Sequence, residues 1–175
     1  MSVLIPVMIV VLTVVAMEGF AYSVHRWIMH GPLGWGWHKS HHEETHGPFE
    51  KNDLYAVVFA VISILLFAIG SAWWPWLWWV AVGASVYGVI YFVVHDWLVH
   101  QRWPFRYVPK RGYFRRLYQA HRLHHAVEGR DDCVSFGFVY APPVDDLKAQ
   151  LKSSGVLAKR QSKHRDAWRA DRPED

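Results

Sequence analysis

The sequence predicts an all-α integral membrane protein, with three transmembrane helices that carry a histidine-rich helical cap on one membrane face. Three observations predict it. Hydrophobic residues make up 52% of the chain and charged residues only 19%, against about a quarter charged in soluble domains. Long stretches carry no charge at all. Eleven of the 12 histidines fall between His25 and His125, in groups that flank those stretches. Cys133 is the only cysteine, so a disulfide framework and a cysteine metal site are both excluded. Any metal here is held by nitrogen or oxygen.

The first predicted span covers roughly 3–24, where Glu18 is the only charge. It is not read as a cleaved signal peptide, because it lacks a basic leader and the histidines follow it directly. From Leu54 to Val94 there is no charge over 41 residues. As one helix that run would be about 60 Å long, twice the hydrocarbon thickness, so it predicts a hairpin of two spans at roughly 54–71 and 76–94. The break falls in Gly70-Ser71-Ala72-Trp73-Trp74-Pro75, where glycine and proline interrupt the helix and tryptophan prefers the interface. The tryptophans of 73–79 are read as an interfacial belt.

Residues 101–130 hold eight Lys or Arg against one acid, while the 70–75 turn holds none. The positive-inside rule then puts the histidine-bearing side in the cytoplasm. The first histidine group (25–46) follows span one and the second (95–125) follows span three. An even number of crossings separates them, so both emerge on one face. The basic run Arg102–Arg122 is chiefly this topology signal and a surface for anionic lipid or an acidic redox partner. Residues 1–143 are read as one membrane-embedded domain and 144–175 as a polar, partly disordered tail with a short helical signal near Val144–Leu151.

The histidines repeat chemically: His25 and His30 as HxxxxH, His38, His41 and His42 as HxxHH, His95 and His100 as HxxxxH, then His121, His124 and His125 as HxxHH. On a helix, HxxHH sets three imidazoles on one face. HxxxxH does not, since five residues turn an α-helix by about 140° past a full turn. Both rings ligate only where the helix ends or loosens. Ten imidazoles exceed the needs of one tetrahedral ion and suit two. Imidazole serves iron, copper, zinc and nickel alike, so ligand type does not name the metal. A purely structural reading of ten histidines fails, because imidazoles packed so closely repel on protonation. His46 and His164 lie outside the repeat and are read as solvated. Asp96, Glu43 and Glu44 are candidate acceptors for ligand imidazoles or, equally, rim charges. Glu18 leans toward function, as an acid inside a span, and Cys133 toward simple packing.

The four boxes resemble the fatty acid hydroxylase and sterol desaturase superfamily, and the flanking stretches resemble its bacterial carotene-hydroxylating branch: "MHGPLGWGWHKSHHEETH" (29–46), "FEKNDLYAVVFA" (49–60), "VHDWLVHQRWPFRYVPKRGY" (94–113), "LYQAHRLHHAV" (117–127) and "CVSFGFVYAPP" (133–143). The resemblance implies a non-haem di-iron monooxygenase of the bacterial inner membrane that uses O2 to hydroxylate carbon 3 of β-ionone rings. β-Carotene would become β-cryptoxanthin and then zeaxanthin, and canthaxanthin would lead toward astaxanthin. Reduced ferredoxin and its NAD(P)H-dependent reductase would supply electrons; no nucleic-acid partner is expected. Carried over box by box, the iron ligands implied are His25, His30, His38, His41, His42, His95, His100, His121, His124 and His125. No catalytic side chain beyond them is assigned. The superfamily is often drawn with four membrane helices, where hydropathy here yields three; a fourth would be a short or re-entrant piece. A metal transporter fits less well, since residues 54–94 carry no histidine and no charge near the bilayer midplane.

Overall fold

The computed structural model describes residues 3–43, 49–102, 104–159 and 162, and no strand occurs among them. Glu44, His46 and His164 lie outside the described residues. The apolar first segment forms α1 (Leu4–Ser23), which runs without a break into a π-helical turn, Val24–Met29. The histidine-bearing α2 (Trp35–His42) follows. The uncharged run folds as α3 (Asp53–Ala72) and α4 (Pro75–Tyr91), and α4 continues into a second π-helical turn, Phe92–Val99. The break lies where the sequence puts it. Trp73 donates its backbone N–H to Ile69 O at 2.9 Å, closing α3, and Pro75 opens α4 at a position that needs no N–H donor.

Among the described residues, three continuous helices are long and apolar enough to cross a membrane: Leu4–Met29, Asp53–Ala72 and Pro75–Val99. The first and third outrun their expected ends because each π-helical turn prolongs the helix past the last purely apolar residue. α4 stands between α1 and α3 and packs on both. The α1–α4 approach is close at Gly83, where a Cβ would come within 2.6 Å of Thr13 Cβ. Elsewhere α1 and α3 direct apolar side chains outward: Leu12 and Val15 of α1 and Ile64 of α3 are all more than 60% exposed. Apolar surface on that scale is matched by lipid, not by water.

The cap is built from α2, α5 (Gly112–His124), α6 (Val144–Ser154) and the irregular segment between α5 and α6. On α5, Leu117, Ala120, His121 and His124 are buried, the i, i+3, i+4, i+7 pattern of one helix face, while Arg115, Arg116 and Arg122 point outward. Leu147 and Leu151 of α6 are fully buried against Val94, Leu117 and Val127. Asp145 and Asp146 in its first turn and Lys152 in its last suit the helix dipole. The cap's hydrophobic core thus includes Leu117 and Ala120, which share the buried face of α5 with His121 and His124.

Candidate metal centre

Each π-helical turn resolves the awkward HxxxxH spacing. His30 donates its backbone N–H to His25 O at 3.0 Å, and His100 to His95 O at 2.9 Å. These are i→i+5 bonds, so the helix is widened by one residue where two histidines five apart must face the same way. α2 and α5 need no such device: i, i+3 and i+4 already share a face. The two groups, more than 50 residues apart in sequence, meet: His41 Nε2 lies 3.0 Å from His95 Nε2, and His30 Nε2 lies 3.1 Å from His124 Nε2.

Eight of the ring nitrogens fall into two quartets. His25, His30, His38 and His124 form one; His41, His95, His100 and His121 form the other. Within each, the nitrogens all lie within 4.8 Å of one another. His42 and His125 stack on each other between the quartets, with ring centroids 4.5 Å apart. His42 Nε2 is buried without a hydrogen-bond partner among the described residues. All ten box histidines are therefore gathered at one place.

The outer nitrogens reveal what the inner ones do. Carbonyl oxygens only accept, so the Nδ1 of His25, His30, His42 and His124 must be the protonated donor to Phe136 O, Arg130 O, Val127 O and Val134 O, at 2.9 to 3.0 Å. His41 Nδ1 donates to Glu50 Oε1 at 2.7 Å, His95 Nδ1 to Asp96 Oδ1 at 2.9 Å, and His38 Nδ1 to Asn52 Oδ1 at 2.7 Å. In the neutral ring a protonated Nδ1 leaves Nε2 with a bare lone pair. Seven imidazoles thus aim lone pairs inward. His30 and His124 set two of them 3.1 Å apart with no proton between. Such an arrangement repels itself unless a cation sits among the nitrogens, so the donor set fits a metal pair held by neutral imidazole.

Electrostatics agree. Burial lowers His38 to about 2 and His42 to about 4, and holds His41, His100, His121 and His124 well below the ordinary histidine value. Each is neutral near pH 7, the state a metal requires. Around the second quartet, Arg102 forms a bidentate pair with Asp53 at 2.8 and 2.7 Å and lies 3.5 Å from Glu50 and 3.6 Å from Asp96. It holds the two carboxylates that orient His41 and His95. A groove of about 410 Å³ lined by Phe49, Val57, Phe92 and Trp97 ends on Asp53, Asp96 and Arg102. It reaches this carboxylate layer and no imidazole.

Of the acids singled out in the sequence, Asp96 is an acceptor for a box histidine, and Glu43 pairs with exposed Lys39 at 3.1 Å as a rim charge. Glu18 accepts from the backbone of Phe138 to Tyr140 and from Tyr87, and bonds to no imidazole among the described residues. Sequence reasoning missed Glu50, Asn52 and Arg102; the signal available was an acid, an amide and a second acid crowded into four positions before an uncharged span. The carbonyl acceptors had no signal, since every residue has one.

A fatty acid hydroxylase family model matches residues 10–147, which includes all four boxes. The chain belongs to the fatty acid hydroxylase family. Among relatives in this family, it is 75% identical over 150 residues to a beta-carotene hydroxylase of Paracoccus sp. (strain PC1), covering 86% of this chain and 93% of the relative. It is 60% identical over 146 residues to a beta-carotene hydroxylase of Pantoea ananas, covering 83% and 82%. A chloroplastic beta-carotene hydroxylase 1 of Capsicum annuum is 37% identical over 147 residues, covering 82% of this chain and 44% of that relative. No solved structure matches. The fatty acid hydroxylase assignment makes the chain a hydroxylase of the membrane-helical, histidine-rich kind.

Proposed function

We propose that the chain is a β-carotene 3-hydroxylase, a di-iron monooxygenase that uses O2 and reduced ferredoxin to place hydroxyl groups on the β-ionone rings of a carotenoid. One observation carries the metal half: two quartets of clustered imidazoles, six of whose eight rings commit Nδ1 as a donor, turn their Nε2 lone pairs toward one another. The substrate half is supported by the 75% identity to a relative named as a beta-carotene hydroxylase. The ligands proposed are His25, His30, His38 and His124 for one ion, His41, His95, His100 and His121 for the other, with His42 and His125 between them. Iron bound there would supply the O2 activation and the oxidising power that an unactivated ring C–H bond demands.

The chain's own residues do the rest. Neutral imidazoles leave the bound ions most of their positive charge, and carbonyl and carboxylate partners fix each ring's rotation. Phe138 stacks on His25 at 5.1 Å and meets His95 edge-on at 5.3 Å, and Phe136 meets His25, His30 and His124 edge-on at 5.2 to 5.5 Å. They give the imidazole cluster a water-excluding aromatic wall, apt for an apolar polyene. Exposed Arg106, Lys110, Arg111, Arg115 and Arg116 form a basic face suited to anionic lipid and an acidic electron donor. Their charge argues for the cytoplasmic side of a bacterial inner membrane. The catalytic unit proposed is 1–143, with 144–175 as a polar extension anchored by α6.

The test is expression in a bacterial host that accumulates β-carotene, with the pigments resolved by chromatography and mass. Cryptoxanthin and zeaxanthin, absent from His124→Ala and His41→Ala controls that still reach the membrane, are expected. Unchanged β-carotene from iron-loaded protein with a working electron donor would overturn the substrate assignment. Full turnover by both variants would overturn the metal assignment.

A further inference from the structure

Glu18 stands seven residues before His25 on α1, about 10 Å deeper along the span, where an ionised carboxylate is costly unless fully bonded. It is fully bonded. Its Oε1 accepts three successive backbone N–H groups, from Phe138, Val139 and Tyr140, at 3.1, 3.0 and 2.9 Å. Its Oε2 accepts the hydroxyl of Tyr87 on α4 at 2.7 Å. A concave run of N–H groups of this kind is an anion nest, and it admits the carboxylate only because residue 137 is glycine. A Cβ on Gly137 would lie 2.7 Å from Glu18 Oε1 and 2.5 Å from Tyr140 O.

The nest belongs to the segment whose carbonyls orient the histidines. Val134 O and Phe136 O hold His124 and His25, and Arg130 O, further up the same segment, holds His30. These are three of the first quartet. In the second quartet, His41 and His95 donate to Glu50 and Asp96, and this segment touches His95 and His121 through the Phe138 ring, at 5.3 and 6.2 Å, with no backbone carbonyl of the segment bonded to either among the described residues. The two quartets thus have separate hydrogen-bond acceptors and share the Phe138 ring.

We propose that Glu18 is a positioning residue: it latches the 134–140 segment to α1 and α4, and through that segment's carbonyls sets the imidazoles of one metal site more than those of the other, which the segment meets only through the Phe138 ring. The proposal rests on the two-metal reading above. Loss of an outer partner of a ligand histidine costs about 10–100-fold in metal affinity, and Glu18 would act at one remove on three such partners.

The experiment is cobalt(II) titration of the purified full-length chain in detergent, read by chelator competition and by the visible d–d absorption. The unmodified chain is expected to take two ions. In Glu18→Gln, which keeps the shape but loses the charge and turns an amide toward Tyr87, one site is expected to weaken about 10-fold. In Glu18→Ala the same site weakens up to about 100-fold. Glu50→Gln is expected to weaken the other site, and the double variant both, without coupling. Should Glu18→Ala lose its helical content, Glu18→Gln alone decides. Wild-type affinities at both sites of Glu18→Gln would overturn the proposal. So would equal weakening of both, which would make Glu18 an anchor of the whole cap. Fewer than two ions on the unmodified chain would overturn the two-metal reading beneath it, a result distinct from either.

Discussion

His41 shows how an ordinary residue is made ready to bind a metal. Its Nδ1–H is committed to Glu50, so its lone pair faces inward, and Glu50 is in turn 3.5 Å from Arg102. Burial raises Glu50 to about 7, and Arg102 opposes that rise. Arg102→Met removes the opposing charge and is expected to favour protonated Glu50, which is a poorer acceptor. The expected outcome is a 10–100-fold weaker second metal site, measured by chelator competition on purified protein. Affinity equal to wild type would show that Glu50 needs no help from the guanidinium. The ten box histidines are legible in the sequence because their spacing is periodic and their chemistry specific. Arg102 is not, since it reads as one more basic residue in a topology signal.

The helical elements set a different kind of constraint, one of phase. HxxHH sits on α2 and α5 as any α-helix would hold it, whereas HxxxxH demands the wide π-helical turns at Val24–Met29 and Val99's preceding residues from Phe92. The sequence reveals that the helix must loosen between His25 and His30. It does not reveal how, because a π-helical turn has no residue signature of its own and is stabilised here by what it lets two histidines reach. Deleting Ile28 would shorten the motif to HxxxH and let an ordinary α-helix form. His25 and His30 would then share a face without the widening and the flanking helix would stay in phase, but the narrower turn would move both imidazoles off the positions the wide turn gives them. Turnover is expected to fall at least about 100-fold, since misplacements near 1 Å at a reacting centre cost that much. Measured pigment conversion near wild type would mean that the π-helical geometry is dispensable.

Across the whole molecule, the three spans and the meeting of the histidine groups followed from hydropathy and from counting crossings, while the backing of one quartet by backbone carbonyls depended on a segment with no periodic pattern. The same counting puts Ser71 and Gly112 on opposite faces, and a membrane-impermeant thiol reagent applied to intact cells is expected to label Ser71→Cys and spare Gly112→Cys, both in a Cys133→Ala background; the reverse pattern would invert the topology. Gathering ten imidazoles also makes the whole fold sensitive to acid. Burial lowers His38 to about 2 and His42 to about 4, and pushes His121 and His124 down as well, while in the unfolded chain each titrates near 6.5. Below about pH 6.5 the unfolded state therefore binds more protons than the folded one, so stability is fully present above that pH and falls as the pH drops toward the folded values. Each such histidine contributes a slope of about 1.4 kcal/mol per pH unit. Chelator-stripped protein in detergent is expected to melt at a clearly lower temperature at pH 5 than at pH 7.5, and iron-loaded protein to lose less, because bound metal competes with the protons for the same Nε2 lone pairs. Equal melting temperatures for the stripped protein at the two pH values would mean that the histidines take up protons without opening the cap, and that the bare lone pairs are not the feature that holds it ready for metal.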